Sequence, residues 1–358
     1  MIMEKLRVGL TQGDTNGVGL ETILKTITVE GVTDLYTPVL FANRKLVQST
    51  LQALGEDNVR LQHVPTAADT ADGRINVVNV GDAPIEPTYG VGTPESGNAA
   101  RISLEAAVAA LTDGDIDVLV TAPINKNAIH GENFDFPGHT EYLESRLAEE
   151  GEKAQMILFN DDIRVALLTT HLPISKVSEE VSADRIVDAV KRFDRTLRRD
   201  FACERPKIAV FALNPHCGDG GLLGDEEARE IKPAIDRLQE ENVLAFGPYA
   251  ADGFFGESLW REFDGILAMY HDQGLAPFKA LATKEGVNFT SGLGYVRTSP
   301  DHGTAYDIAG RGEADPTSMR QAIYAAIDIW RARRRYAEMS ADPLKINPPA
   351  REKKKAQQ

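Results

Sequence analysis

The stretch Phe263–Gly310 reads FDGILAMYHDQGLAPFKALATKEGVNFTSGLGYVRTSPDHGTAYDIAG. It opens on a short apolar run, Gly265–Met269, with the length and bulk of a buried strand. Tyr270-His271-Asp272-Gln273-Gly274 follows at the run's carboxyl end. In open α/β sheets that end carries the ligand-binding side chains. Lys279 and Arg297 then supply spaced cations, with the polar Asn288 between them. The stretch closes on Asp301-His302-Gly303-Thr304-Ala305, a glycine turn suited to close approach by a ligand. One segment thus offers a metal ligand, anion-binding charges and a cofactor loop.

The rest of the chain repeats the same strand-then-loop grammar. Arg7–Thr11 reads as a first buried strand running into the glycine-rich turn Gln12–Gly19 and a helix from about Leu20 to Thr28. That turn spaces its glycines as GxxxGxG, which is neither the dinucleotide pattern GxGxxG nor the phosphate loop GxxxxGK[ST]. Strands are expected at Thr37–Ala42, Ile75–Val80, Val118–Ala122 and Lys207–Ala212, and helices at Arg44–Leu54, Asn98–Thr112 and Asp225–Glu240. Gln155–Phe159 and Arg164–Leu168 flank Asp161-Asp162 as a hairpin. Ser182 caps a long amphipathic helix to about Phe201. Asp315 and Pro316 start the last helix, with Met319, Ile323, Ala326, Ile327 and Trp330 on one apolar face. Alternating strands and helices predict an α/β fold with a largely parallel or mixed sheet. No internal repeat is present, and residues 342–358 read as a mobile polar tail.

Composition narrows the function. The chain has 358 residues with a net charge of −15, from 39 Lys and Arg against 54 Asp and Glu. Such a surface does not favour nucleic acid or anionic membranes, and an anionic ligand must be held by local cations. Two cysteines, Cys203 and Cys217, are too few for a disulfide framework. No apolar run reaches the length of about 18 residues that a membrane span needs. The N-terminus MIMEKLRVGL lacks the apolar region of a signal peptide, so a cytoplasmic location is expected.

Three histidines share one placement. His171, His216 and His271 each lie at or just beyond the carboxyl end of an apolar run. Imidazole is the commonest protein ligand for Zn²⁺ and similar ions, and three ligands leave positions open for substrate. Asp219 and Asp272 are candidates to orient those rings, and Cys217 reads as packing. His139 and Thr140, in Phe136-Pro-Gly-His-Thr-Glu-Tyr142, fall at a helix start, where free N–H groups suit a phosphate. Lys279 and Arg297 would complete an anion pocket. Lys126, in Thr121-Ala-Pro-Ile-Asn-Lys126, is a further site candidate after a strand. His63 and His130 have no such context.

Together these motifs resemble the 4-hydroxythreonine-4-phosphate dehydrogenase family of pyridoxal phosphate biosynthesis. The resemblance rests on Gly138-His-Thr-Glu141, Thr169-Thr-His-Leu-Pro173, Leu213-Asn-Pro-His216 with Gly218-Asp-Gly-Gly221, Tyr270-His-Asp-Gln-Gly274 and Arg297–Ala305, in order along nearly the whole chain. Asp301–Gly312 also resembles the nucleotide loop of the isocitrate and isopropylmalate dehydrogenase group. Two departures concern subgroup: the usual Pro-Gly-Asp-Pro-Ala-Gly is here Gln12-Gly-Asp-Thr-Asn-Gly17, and the usual Pro-Ala-Asp-Thr is Ala250-Ala-Asp-Gly253.

The resemblance implies an isocitrate/isopropylmalate dehydrogenase-like α/β unit over residues 1–341, built of two interleaved subdomains with a cleft between them. It implies a homodimer with the active site shared across the interface. One divalent metal per subunit (Zn, Mg or Co) would be held by His171, His216 and His271, one of them from the partner. His271 reaching across is the arrangement considered. His139, Thr140, Lys279, Asn288 and Arg297 would bind a small phosphorylated hydroxy-amino acid. NAD or NADP would lie on Asp301, His302, Gly303 and Thr304. Asp252, Asp272 and Lys126 stand as alternatives for the base. The implied reaction oxidises 4-phosphooxy-L-threonine to 2-amino-3-oxo-4-phosphooxybutanoate, which decarboxylates to 3-amino-2-oxopropyl phosphate. The rivals are the same chemistry on 4-phosphothreonate or 4-phosphoerythronate, a three-histidine metal aldolase or phosphatase, and a phospho-ligand binder without catalysis.

Overall fold

Arg7–Thr11 forms β1, and its last four residues are buried, as an apolar run between two parallel neighbours must be. The computed structural model describes residues 5–81, 83–131 and 134–342. The expected tail over residues 342–358 lies outside them except for Asp342. Eleven more strands follow: β2 (Thr37–Ala42), β3 (Leu61–Val64), β4 (Ile75–Asn79), β5 (Val118–Thr121), β6 (Gln155–Phe159), β7 (Arg164–Leu167), β8 (Lys207–Phe211), β9 (Leu244–Tyr249), β10 (Gly265–Ala268), β11 (Val287–Ser291) and β12 (Arg297–Pro300). They make one sheet in the order β3-β4-β2-β1-β5-β12-β11-β6-β7-β10-β8-β9. The α/β class is as expected.

The sheet changes direction in its middle. β11 is antiparallel to both β12 and β6, and β6 is antiparallel to β7. All other neighbours are parallel. The groups on either side therefore run in opposite senses, and the two central strands β11 and β6 join them. Register aligns Arg297 with Thr290 and Met156, and Ser299 with Asn288 and Leu158. Cross-strand partners share a face, so these side chains form two rows on one side. On the other side Val287, Phe289 and Ile157 enter the main core with Met319, Ile323 and Ala326 of the last helix, Thr317–Ser340.

Several expected boundaries move for local reasons. The helix placed at Asn98–Thr112 begins earlier and spans Pro94–Thr112. Thr93 and Ser96 cap each other's backbone N–H groups, and Pro94 needs no donor in the first turn. The last helix starts at Thr317 with Pro316, not Asp315, at its N-cap; Asp315 stands one residue earlier and accepts from the Thr317 N–H at 3.0 Å. The Gln155–Phe159 hairpin forms, with Asn160 closing its turn. Among the described residues no helix is long and apolar enough to cross a membrane.

Candidate active site

β5 ends on Thr121, and the chain turns through Pro123 into a short helix, Lys126–Ile129, capped by the Asn125 side chain. Gly97 admits this helix: a Cβ there would lie 1.9 Å from the Ala128 carbonyl oxygen. Lys126 thus overhangs the polar face of the central strands. The helix His139–Leu147 begins beside it, after an extended Gly138. From the far side come the loop after β7, bearing His171, and the helix His271–Ala282 after β10. Between these walls is a cavity of about 350 Å³. Lys126, His139, Thr140, Glu141, His171, His271, Lys279, Asn288, Arg297 and the Asp301–Gly303 segment line it.

Arg297 is the floor of the cavity and is 2% exposed. Its guanidinium donates to the hydroxyls of Thr121 and Thr290. Among the described residues no carboxylate pairs with it within 4 Å. Burial pushes its pKa down to about 9, with Glu141 pulling the other way, so it is still charged at pH 7. A buried cation without a counter-ion is costly and marks where an anion belongs. His139 stands next to it. Burial, then the Arg297 and Lys126 charges, hold the imidazole well below the usual histidine range, so it is neutral at pH 7. Its Nε2 and the Asn288 Oδ1 are buried without partners. Lys279 donates to the Asp301 carbonyl oxygen at 3.1 Å.

His171 and His271 have their ring centroids 6.3 Å apart. His171 Nδ1 meets Glu141 Oε1 at 3.0 Å, and His271 Nδ1 meets Asp272 Oδ1 at 2.7 Å. A carboxylate only accepts, so each Nδ1 carries the proton and each Nε2 keeps its lone pair. Metal-binding histidines are oriented in this way, and the donor pair fits a divalent cation. The hydrogen bond from His171 also holds the Glu141 carboxyl below its ordinary range. Glu141 was quoted in its motif but given no role by sequence; its partner lies 30 residues away, beyond any local pattern.

His216 is elsewhere. It is exposed, at φ +52°, and opens a run of left-handed residues to Gly220. Among the described residues of one chain, no three His, Cys, Asp or Glu side chains are placed to hold a metal. His171 and His271 face each other within one chain, so His271 is not the histidine set apart; His216 is. Asp252, on the helix Ala251–Gly256, is exposed and close enough to Cys217 of the His216 loop to help raise that thiol's pKa, after burial and Glu227. It does not line the cavity. Nor does Asp272, which is largely exposed and turned to His271. Of the three base candidates only Lys126 does.

A second hollow of about 200 Å³ adjoins the first and shares Asp301 and His302 with it. Val18, Ala305, Ile308 and Ala314 give it an apolar wall. His302 Nδ1 donates to the Gly303 carbonyl oxygen at 2.8 Å, leaving its buried Nε2 an acceptor without a partner. An apolar slot with one free acceptor fits the base or ribose of a nucleotide. Thr304 lines neither hollow; its carbonyl oxygen accepts from the Val18 N–H, and its residue packs on Gly17. The glycine-rich turn is therefore a seat for this loop.

Converting Glu141 to Gln is expected to weaken divalent-metal binding about 10- to 100-fold, because the amide orients the His171 ring less firmly. Titration of the metal-stripped protein with Zn²⁺ measures it; unchanged affinity would remove Glu141 from the metal's support.

The model of the pyridoxal phosphate biosynthetic protein PdxA family matches residues 34–326. A 4-hydroxythreonine-4-phosphate dehydrogenase of Bacteroides thetaiotaomicron is 49% identical over 341 residues, covering 95% of this chain and 93% of the relative. A putative D-threonate 4-phosphate dehydrogenase of Oceanobacillus iheyensis is 35% identical over 325 residues, covering 90% and 97%. Among solved structures, 4-hydroxythreonine-4-phosphate dehydrogenase from Klebsiella pneumoniae superposes with a TM-score of 0.78 at 32% identity, covering 92% of this chain and 98% of that one.

Proposed function

This chain belongs to the PdxA family of pyridoxal phosphate biosynthetic proteins, and from that premise we propose that it oxidises 4-phosphooxy-L-threonine with NAD or NADP and a divalent metal. The proposed product is 2-amino-3-oxo-4-phosphooxybutanoate, which loses CO₂ to give 3-amino-2-oxopropyl phosphate. The observation that carries the reading is Arg297: a buried, uncompensated guanidinium at the floor of a cavity that also holds two carboxylate-oriented imidazoles.

Each residue's work follows from its chemistry. Arg297, His139, Thr140 and Lys279 bind the phosphate, with Asn288 offering an acceptor to a substrate N–H or O–H. His171 and His271 would hold the metal together with a His216 from a second copy, and Glu141 and Asp272 keep the two rings turned. A divalent cation bound there would supply Lewis acidity toward the substrate's oxygen atoms. The nucleotide supplies the hydride acceptor, and His302, Ala305 and Ile308 seat it. Of the three candidate bases, Lys126 is the one that lines the cavity.

Completion by a second copy is supported by what the histidine loops expose. Leu172 and Ile174 beside His171, and Leu222 and Leu223 beyond His216, are large apolar side chains left in solvent. The two loop regions adjoin, with Ser178 Oγ donating to Glu226 Oε1 at 2.5 Å. Neighbouring apolar exposure of this kind fits a partner surface.

The test is NADH or NADPH formation at 340 nm with 4-phosphooxy-L-threonine, 4-phospho-D-threonate and 4-phosphoerythronate, each with both nucleotides and added Zn²⁺, Mg²⁺ or Co²⁺. The threonate enters because of the relative named for it. Preference for the amino substrate supports the proposal. Preference for a sugar acid moves the substrate, and metal-dependent turnover without reduced nucleotide replaces the reaction class.

A further inference from the structure

His171 Nε2 is not idle in this structure. Lys126 Nζ lies 3.1 Å from it. The Glu141 contact fixes the proton on Nδ1, so Nε2 has one lone pair and the ammonium donates to it. An imidazole nitrogen has no second lone pair in the ring plane. A cation on Nε2 and a hydrogen bond from Lys126 to Nε2 therefore exclude each other.

We infer that Lys126 is a placeholder at the metal site: it caps the His171 lone pair until a divalent cation displaces it, and the displaced ammonium joins the anion-binding side of the cavity. This rests on the reading of His171 as a metal ligand. Two observations give the freed side chain a destination. Its stem passes Gly138, where a Cβ would stand 3.8 Å from Lys126 Cε, so it runs past the start of the helix that bears His139 and Thr140. Its charge is also felt by both His139 and Glu141. The ammonium therefore needs only a side-chain rotation to turn from His171 toward an anion held over Arg297.

The arrangement has two consequences. Without metal, Lys126 keeps the ring satisfied and its orientation fixed, so the site stays ordered. With metal, a third cation beside Arg297 and Lys279 becomes available to the phosphorylated substrate. Metal binding thereby prepares the substrate pocket, and the metal is expected to bind first.

The test uses metal-stripped full-length protein titrated with Zn²⁺, wild type beside Lys126→Met. Methionine fills the stem's place but cannot hold the lone pair. Zn²⁺ should bind the variant about tenfold more tightly, as expected when a charge-assisted hydrogen bond no longer competes. Removing the ammonium's charge acts in the same direction, so crystal structures of the wild type with and without Zn²⁺ accompany the titration. Lys126 Nζ should touch His171 Nε2 only in the metal-free crystal. Equal or weaker Zn²⁺ binding by the variant overturns the inference alone. So does Zn²⁺ seated with Lys126 still on Nε2. Absence of Zn²⁺ binding by both proteins overturns the metal reading itself, and the inference with it.

Discussion

Replacing Arg297 by methionine is expected to raise the KM for the phosphorylated substrate by at least 10- to 150-fold, the value of one lost charge-assisted hydrogen bond of about 1.5–3 kcal/mol. The stability change should be small, because two effects oppose each other. The guanidinium is buried and held only by two threonine hydroxyls. An isolated buried ion costs several kcal/mol even after the protein relaxes. Methionine carries no charge but is shorter than arginine, so the cavity it leaves at this buried position offsets the gain from removing the ion, and Tm should change little while activity falls. Nucleotide affinity should barely change, because the slot between Val18 and Ala314 does not include Arg297. A variant that loses stability and substrate affinity together would mean that Arg297 is structural, with its charge satisfied by the fold.

The second large effect concerns recovery of lost activity. His171→Ala, His216→Ala and His271→Ala homodimers should each be nearly inactive. Mixing His171→Ala with His216→Ala subunits should restore activity. A mixed dimer has one site carrying both substitutions and one carrying neither. Random exchange makes half the dimers mixed, so recovery should approach roughly one quarter of wild-type sites in a two-fold symmetric dimer. Mixing His171→Ala with His271→Ala should restore nothing, since both rings line one chain's cavity. If the second mixture recovers and the first does not, the histidine that crosses is not His216. If neither recovers after exchange is verified, one chain holds the whole site.

Much of this site is legible in the sequence because of one habit of α/β sheets. Loops after buried strands collect at ligand sites, so His171, His271 and Lys126 announce themselves by following apolar runs. The resemblance to a family then attached His139, Thr140, Asn288, Lys279 and Arg297 to substrate, and the fold brings all five to one cavity. What stayed hidden is what depends on distant contacts. Nothing local marks Arg297 as buried; its guanidinium partner Thr121 lies 176 residues away. β11 and β12 were not read as strands because Asn288, Arg297 and Ser299 spoil the apolar pattern, and those same residues make the polar floor. His216 follows a strand as its two counterparts do. Its left-handed loop, which the glycines permit but which also takes in His216 and Cys217, turns it away from them.

The reversal at the centre of the sheet bears on how the chain is made. β5 pairs on one side with β1 and on the other with β12, whose Arg297 sits opposite Leu119. When β5 leaves the ribosome, that second edge has no partner. At about 5–20 residues per second, it waits roughly 10–35 seconds for β12 to emerge. Through that interval the nascent first half presents the unpaired edge of a buried apolar strand, the kind of edge that invites pairing with other chains. Shielding by a chaperone during synthesis, rather than the strength of the finished core, should therefore limit the yield of soluble protein.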